Sequence, residues 1–571
     1  LQNHALFWHL PIILAGLILK DLSLLLINHS IFMQQLELLD YIVFLFYFVV
    51  VAGYGYWVYQ QKKSKEASTT DFFLAEGSLT WWAIGASLIA SNISAEQFIG
   101  MSGNGFSMGL AISTYEWMAA ATLIIVAVFF MPIYLKNKIY TMPQFLSQRY
   151  NKSVSLIMAI FWLALYILVN LTSILYLGAL AVSGISGLDF TLCMWGLATF
   201  AIIITLGGMK VIGYTDVIQV FFLIIGGLAT TYLALTLVAD DAGRQGMLDG
   251  FKAMTQSHDD HFHMIFEKGT PFYSQLPGLT VLIGGMWIVN LNYWGCNQYI
   301  TQRALGADLK TARNGILFAA VLKLLMPVIV VLPGIAAYSL YSRGMFQEDM
   351  LGPDGLINPD KAYPVLLNLL PVGLKGLSFA ALTAAVVASL AGKANSISTI
   401  FTLDIFKNYI GKNHSEAQLV RIGRYVVVVA MVLAIVVAPF MGIDKKGGFQ
   451  FIQEMTGLLS PGIFASFIMG FFWKRTNSAG ALFAIVGGFL IALSMHNNWL
   501  PFADWSQVPF LDRMGWVFLI CVSVMVVLGY VAPSQNRGME IDVSMFKTHR
   551  SFAVGAFIVI SLIVMLYTYF W

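Results

Sequence analysis

The sequence predicts an all-α, polytopic membrane protein organised as an inverted repeat. Three observations carry this prediction. Apolar windows long enough to cross a bilayer recur fourteen times. The loops between them alternate in basic residues, twenty Lys and Arg in one alternate set and nine in the other, as the positive-inside rule requires. Two windows, 79–101 and 275–300, carry polar residues at their centres and stand five spans apart. Five is odd, so the later window enters the membrane from the opposite side. Paired interruptions of this kind are the sequence pointer to oppositely oriented halves with a solute site between them.

Composition excludes several classes. The chain is 58% hydrophobic and only 11% charged, against roughly 25% charged in soluble proteins. A net charge of +3 gives no reason to expect nucleic acid. Cys193, Cys296 and Cys521 all lie in apolar segments, with neither disulfide nor metal spacing. No metal motif, nucleophile–base pair or cofactor loop points to an enzyme. No soluble signalling domain accompanies the spans, which argues against a sensor.

Residues 1–32 precede the first methionine, Met33. They read as sequence upstream of a start at Met33, with an extra hydrophobic segment as the alternative. The windows then fall at 39–59, 79–101, 109–135, 154–183, 190–206, 213–238, 275–300, 314–342, 375–403, 420–439, 448–472, 478–495, 515–532 and 552–570. Residues 33–60 are an accessory first span. Residues 79–238 and 275–472 are the two five-helix repeats, and 478–571 holds three further accessory spans. The richer basic set includes Lys62, Lys63, Lys65, Lys412 and Arg537, the poorer one Lys445 and Lys446. This places both ends of the fourteen-span core, near Met33 and at Trp571, outside the cell.

The window 79–101 reads LTWWAIGASLIASNISAEQFIGM. Ser91, Asn92, Ser94, Glu96 and Gln97 sit where lipid tails should be. They cost several kcal/mol in hydrocarbon unless they face protein or water. Serine and asparagine also compete for backbone hydrogen bonds, so the helix is expected to unwind here and free carbonyl oxygens. The window 275–300 is the second broken segment, with Asn290, Asn292, Tyr293, Trp294 and Gly295 at its centre.

Glu116 and Lys323 are single charges deep inside apolar spans. A structural pair or snorkelling is the plain reading. Converging on a cavity, they would give a neutral polyol an acceptor and a donor. Gln97, Asn92, Asn290 and Gln453 add amides that do both, and Tyr115, Tyr293 and Trp294 add an aromatic face. In the window 375–403, Ala385, Ala388 and Ser389 share one helix face. Close helix packing explains small residues by itself. Beside an unwound segment, a carbonyl and a hydroxyl there suit a monovalent cation. The outer loop 239–274 carries His258, Asp259, Asp260, His261 and His263, a solvated run before it is a metal site.

Eight stretches resemble the sodium:solute symporter family: ASNISAEQFIGMSG (90–103), STYEWM (113–118), YTDVIQVFFL (214–223), NYWGCNQYITQRAL (292–305), DKAYP (360–364), NSISTIFTLDIF (395–406), FQFIQEMTGLLSPG (449–462) and FFWKRTNSAGA (471–481). The resemblance spans almost all of 36–571 and is greatest to the sugar branch, the sodium/galactose and sodium/glucose symporters. It implies a LeuT-type fold with fourteen spans. It implies sugar bound by Asn92, Gln97, Glu116, Asn290, Lys323 and Gln453, with Tyr293 as inner gate. It implies sodium held by the carbonyls of Ala90, Ile93 and Ala385 and the hydroxyl of Ser389. Three positions depart. Ala388 stands where relatives commonly have a second hydroxyl, Asn292 where a sugar-branch relative has an aromatic, and Ala119 where it has a serine.

The expected activity is sodium-coupled import of a galactose- or glucose-type monosaccharide across the bacterial inner membrane. Another small polar solute, such as myo-inositol, sialic acid or an amino acid, is the alternative. Sodium, the sugar, the lipid bilayer and a second copy of the chain are the expected partners. One further expectation concerns the sodium exit path. Lys393 lies four residues beyond Ser389 on the same face, and Asp216 opens a span expected to be its neighbour. The two are expected either to pair across the path or to leave Lys393 snorkelling to the surface.

Overall fold

A computed structural model of the chain describes residues 36–61, 79–352, 355–411, 413–440, 448–534 and 538–571. The extension 1–32 and the loop cations Lys62, Lys63, Lys65, Lys412, Lys445, Lys446 and Arg537 lie outside the described residues. Among the described residues the secondary structure is helical, with one isolated bridge between Leu351 and Ile357.

The helices that matter below are α1 (Leu38–Gln61), α2 (Trp81–Asn92), α3 (Glu96–Lys136), α4 (Lys152–Ser186), α5 (Phe190–Thr205) and α6 (Met209–Asp241). They continue as α7 (Gly285–Gly295), α8 (Gln298–Leu305), α9 (Leu309–Ser342), α10 (Leu374–Ile410), α11 (Glu416–Phe440), α12 (Gly448–Gly457) and α13 (Ser460–Phe472). Ten described helices are long and apolar enough to cross a membrane, or eleven if α12 and α13, bent by 51°, form one span. The multi-pass character is therefore shown. The count of fourteen is finer than this, because four windows are not continuous long helices. Windows 79–101 and 275–300 are interrupted, 448–472 is bent, and α5 has only 16 residues. At 1.5 Å per residue α5 is about 24 Å long, short of a ~30 Å hydrocarbon core.

The breaks have local causes. α2 stops at Asn92, Ile93 is extended (φ −78°, ψ 111°), and Ser94 leads into α3. The Ser94 hydroxyl accepts from the Glu96 amide at 3.1 Å, so the serine expected to compete with the helix does so, and the Ser94 amide in turn donates to Gln97 Oε1 at 3.0 Å. The second break falls later than expected. Asn290 to Gly295 are helical, and the interruption is at Cys296–Asn297, where extended Asn297 (φ −101°, ψ 121°) caps α8 by accepting from the Tyr299 amide. α3 itself turns at Gly109 (φ 76°), where a Cβ would lie 2.2 Å from the His261 carbonyl oxygen. No other residue fits that approach.

α10 lies at the centre of the fold. Its stretch Phe379–Thr399 is buried throughout, and its alanines, serines and Gly392 let α1, α5 and α6 pack closely around it. Its N-terminus is held from α1. The buried carboxylate of Asp40 accepts from the amides of Gly373 and Gly376 at 2.7 and 2.8 Å, opposite the positive end of the helix dipole. α9 packs against α2 and α3, with Pro327 and Pro333 inside it. At the other end of α13, buried Arg149 caps the last carbonyls, donating to Gly470 at 2.8 Å and Trp473 at 3.0 Å.

Candidate functional site

The interruption after α2 and the middles of α3, α7, α9 and α12 bring polar groups to one cavity. All nine side chains expected to hold a polyol line it: Asn92, Gln97, Tyr115, Glu116, Asn290, Tyr293, Trp294, Lys323 and Gln453. Ala119 and Asn292, two of the departures from the family pattern, line it as well.

Glu116 and Lys323 meet. The Lys323 ammonium donates to Glu116 Oε2 and to Asn92 Oδ1, and both charged side chains are buried. It also stands 5.2 Å from the centre of the Trp294 ring. Snorkelling is thereby replaced by a buried pair with a third, neutral partner, the arrangement a charge needs in a low-dielectric site. The other end of Asn92 donates from Nδ2 to the Tyr293 hydroxyl at 3.1 Å, which ties the α2 break to α7. Tyr115 meets Phe449 of α12 edge to face at 5.1 Å. Asn290 Nδ2 is turned back to the Met286 carbonyl at 3.2 Å, while Asn292 reaches out of α7 to donate to Ser460 Oγ at 3.0 Å. Where an aromatic was expected by resemblance, Asn292 fastens α7 to the bend between α12 and α13.

Ser389 and the carbonyls at the α2 break come together beside this cavity. Ser389 Oγ lies 3.3 Å from the Ala90 carbonyl oxygen, 3.1 Å from that of Ser91 and 3.2 Å from that of Ile93. A hydroxyl has one hydrogen, so it satisfies one of these acceptors at a time. The remaining oxygens and its own lone pairs form a nest rich in oxygen and free of charge, suited to a hard monovalent cation. Ala385 and Ala388 are buried on the same helix, and Ala388 contributes no hydroxyl.

The pair expected between Lys393 and Asp216 is not formed. Lys393 Nζ donates to Asn170 Oδ1 of α4 at 3.1 Å and stands 4.4 Å from the centre of the Tyr299 ring. At 3% exposure it does not snorkel either. Asp216 instead accepts from Ser87 Oγ at 2.5 Å, with Arg303 Nη2 at 4.0 Å, while Arg303 Nε donates to the same Ser87 hydroxyl at 3.0 Å. The reason is steric and electrostatic. Arg303, a turn into α8, reaches Asp216 through the space left by Gly392, where a Cβ would sit 2.4 Å from Arg303 Nη2. Arg303 Nη2 stands near Asp216 without hydrogen-bonding it, and the Ser87 hydroxyl, accepting from Arg303 Nε and donating to Asp216, links the two.

Sequence reasoning missed Tyr299, Arg303 and Asn170. Tyr299 donates its hydroxyl to the Ser91 carbonyl, one of the three around Ser389. Its signal was its place two residues past the Cys296–Asn297 break. Arg303 follows one turn later, and Asn170 is a lone amide in an apolar run. Of the histidine run in loop 239–274, His261 is buried, stacking on Tyr338 at 4.0 Å and bonding the Phe106 carbonyl at 3.2 Å. Among the described residues no three His, Cys, Asp or Glu stand together as a metal site.

Likenesses to known proteins bear on this geometry. The sodium/glucose cotransporter of Vibrio parahaemolyticus is 46% identical over 549 residues, covering 94% of this chain and 99% of that protein. Sodium/myo-inositol cotransporter 2 of Homo sapiens is 35% identical over 490 residues, covering 81% of this chain and 70% of that protein. The solved structure of the substrate-bound outward-open state of a Na+-coupled sialic acid symporter superposes with a TM-score of 0.75 at 21% identity, covering 88% of this chain and 99% of that one, and shows the shared fold. The family pattern of sodium:solute symporters itself matches residues 72–488. A polar cavity at a helix break, a charge-free oxygen nest beside it and these likenesses lead to one conclusion: the chain belongs to the sodium:solute symporter family.

Proposed function

We propose that this chain imports a galactose- or glucose-type monosaccharide together with sodium, by alternating access. The observation that carries the reading is the convergence of Glu116, Lys323 and Asn92 on one cavity beside the three carbonyls around Ser389. The sugar is held by Asn92, Gln97, Glu116, Asn290, Lys323 and Gln453, with Tyr115, Tyr293 and Trp294 as its aromatic surround. An acid and a lysine that neutralise each other suit an uncharged solute whose hydroxyls both donate and accept. The 46% likeness to a sodium/glucose cotransporter supports the same solute class.

Sodium is held by the carbonyls of Ala90, Ile93 and Ala385 and the hydroxyl of Ser389, with Ala388 leaving the shell one side-chain ligand thinner. The ion draws the α2 break onto α10 and favours the outward-open state, to which sugar binds. Inward opening moves α10 away, weakens the shell and releases both solutes. Coupling is then a difference in sodium affinity between the two states.

The same reading places fourteen spans in a 5+5 inverted repeat, 79–238 and 275–472. Both ends of the core face outward from a bacterial inner membrane, and the assembly is a homodimer. The alternation of loop cations supports the orientation. Counterflow in proteoliposomes tests the solute, using galactose, glucose, myo-inositol, sialic acid and an amino acid, each with and without sodium. Exchange of a hexose in sodium alone is expected. Exchange of sialic acid or an amino acid without any hexose would replace the sugar reading.

A further inference from the structure

The cavity holds a second set of groups with the chemistry of the first. In the first, the lysine of α9, Lys323, donates to an asparagine oxygen, stands over the Trp294 ring and pairs with Glu116. In the second, the lysine of α10, Lys393, donates to Asn170 Oδ1 at 3.1 Å, stands 4.4 Å over the Tyr299 ring, and shares the cavity wall with Glu96. Glu96, Asn170, Asn297 and Lys393 line the same cavity as the first set. Tyr293 joins the two, its hydroxyl accepting from Asn92 of the first while it lines the cavity beside Glu96, Asn170 and Lys393 of the second.

Neither charged member of the second set is used up. An ammonium has three donors, and Asn170 is the one hydrogen-bond acceptor Lys393 has among the described residues. Glu96 accepts from Ser173 Oγ at 3.2 Å through one of its two oxygens. Two donors and several acceptor sites therefore remain, with Tyr293 on the cavity wall beside them. The charges sum to zero, as they do in the first set. A positively charged solute would meet Lys393, and an anion would meet Glu96. A neutral solute carrying several hydroxyls meets both kinds of partner at once.

We propose that Lys393, Glu96 and Asn170 form a second polyol subsite, reached from the first past Tyr293. It lies on the side towards which α10 runs beyond Ser389. The ligand is the sugar of the first site, so the proposal rests on that reading. The Tyr299 hydroxyl donates to the Ser91 carbonyl beside Ser389, and Lys393 stands over the Tyr299 ring, so sugar on Lys393 is one side chain away from the cation nest. The sugar moves between two stations of like chemistry instead of leaving the first directly into water.

Radiolabelled galactose in oriented proteoliposomes tests this, by measuring half-saturation from each face separately in saturating sodium. Lys393→Met is expected to raise half-saturation about tenfold at the face towards which α10 runs, and to leave the opposite face within twofold. Lys393→Arg should restore most of the loss. An equal shift at both faces, or no shift at either, overturns the second subsite while leaving the transport reading intact. If Lys393→Met does not fold, the near-isosteric Glu96→Gln is judged by the same two-face criterion. Absence of any sugar flux in the unaltered protein would instead sink the transport reading itself.

Discussion

The hydroxyl oxygen of Ser389 on α10 lies 3.1 Å from the carbonyl oxygen of Ser91 at the end of α2. A carbonyl inside an intact helix is taken by an amide four residues on. Here the break at Ile93 removes those amides, and the span that approaches carries a hydroxyl. The relationship makes the interrupted helix readable from another span. A cation held between them, as proposed, would bind both, and separation of the two would take the site apart.

Ser389→Ala removes the side-chain hydroxyl from that nest. The sodium concentration for half-maximal sugar uptake should rise roughly tenfold, equivalent to about 1.4 kcal/mol. Ala388→Ser, one residue away and buried, should lower it or leave it unchanged. Uptake measured over a sodium titration decides, and an unaltered curve for Ser389→Ala would place the ion elsewhere.

Glu116→Ala leaves the Lys323 ammonium buried without its carboxylate, and Gln97→Ala removes an amide from the cavity wall. A lost hydrogen bond in a desolvated site is worth roughly 1.5–3 kcal/mol where one partner is charged, as with Glu116, and about 0.5–1.5 kcal/mol between neutral groups, as with Gln97 and a sugar hydroxyl. Sugar uptake by either variant should fall to background, while monodispersity and helical circular dichroism stay as in the parent. Undiminished uptake in both would remove these residues from the site.

Asp216 and Arg303 share Ser87, whereas Lys393 bonds Asn170. A double-mutant cycle on sodium-dependent uptake with Asp216→Asn and Arg303→Met should show coupling of about 0.5–3 kcal/mol, the range for residues in one network. The cycle with Asp216→Asn and Lys393→Met should give a value near zero. The reverse order of the two couplings would restore the pairing that the structure replaces.

Asp40→Ala strips two amides at the start of α10 of their acceptor. Bonds to a charged partner contribute about 1.5–3 kcal/mol, and the dipole term adds a few tenths. Thermal unfolding in detergent should start at a lower temperature, with the sugar half-saturation of the surviving protein little changed. An unchanged unfolding temperature would show that α1 does not anchor α10.

Much of the site was legible because membrane spans make polar residues conspicuous. Asn92, Gln97, Glu116 and Lys323 stand out against apolar neighbours, and each costs too much in lipid to be idle. The break near Ser94 followed from side chains that compete with the helix. Its counterpart was misplaced, since Asn290 to Gly295 look disruptive yet stay helical, held by tertiary partners such as Ser460. Side-chain partners across spans were the least legible. Periodicity put Lys393 on the face of Ser389, but only packing shows that Gly392 admits Arg303 to Asp216 and leaves Lys393 to Asn170. The fourteen windows overstated continuity for the same reason, because hydropathy sums over a bend such as that between α12 and α13.

The central claim is that a sodium gradient drives sugar through this cavity. Its most direct measurement is galactose accumulation in proteoliposomes with sodium outside and potassium inside, against liposomes with potassium on both sides. The account predicts accumulation above the external sugar concentration only with the sodium gradient, and its collapse when a sodium ionophore is added. Equal accumulation in potassium alone, or sugar entry that stops at equilibrium despite the gradient, would contradict it.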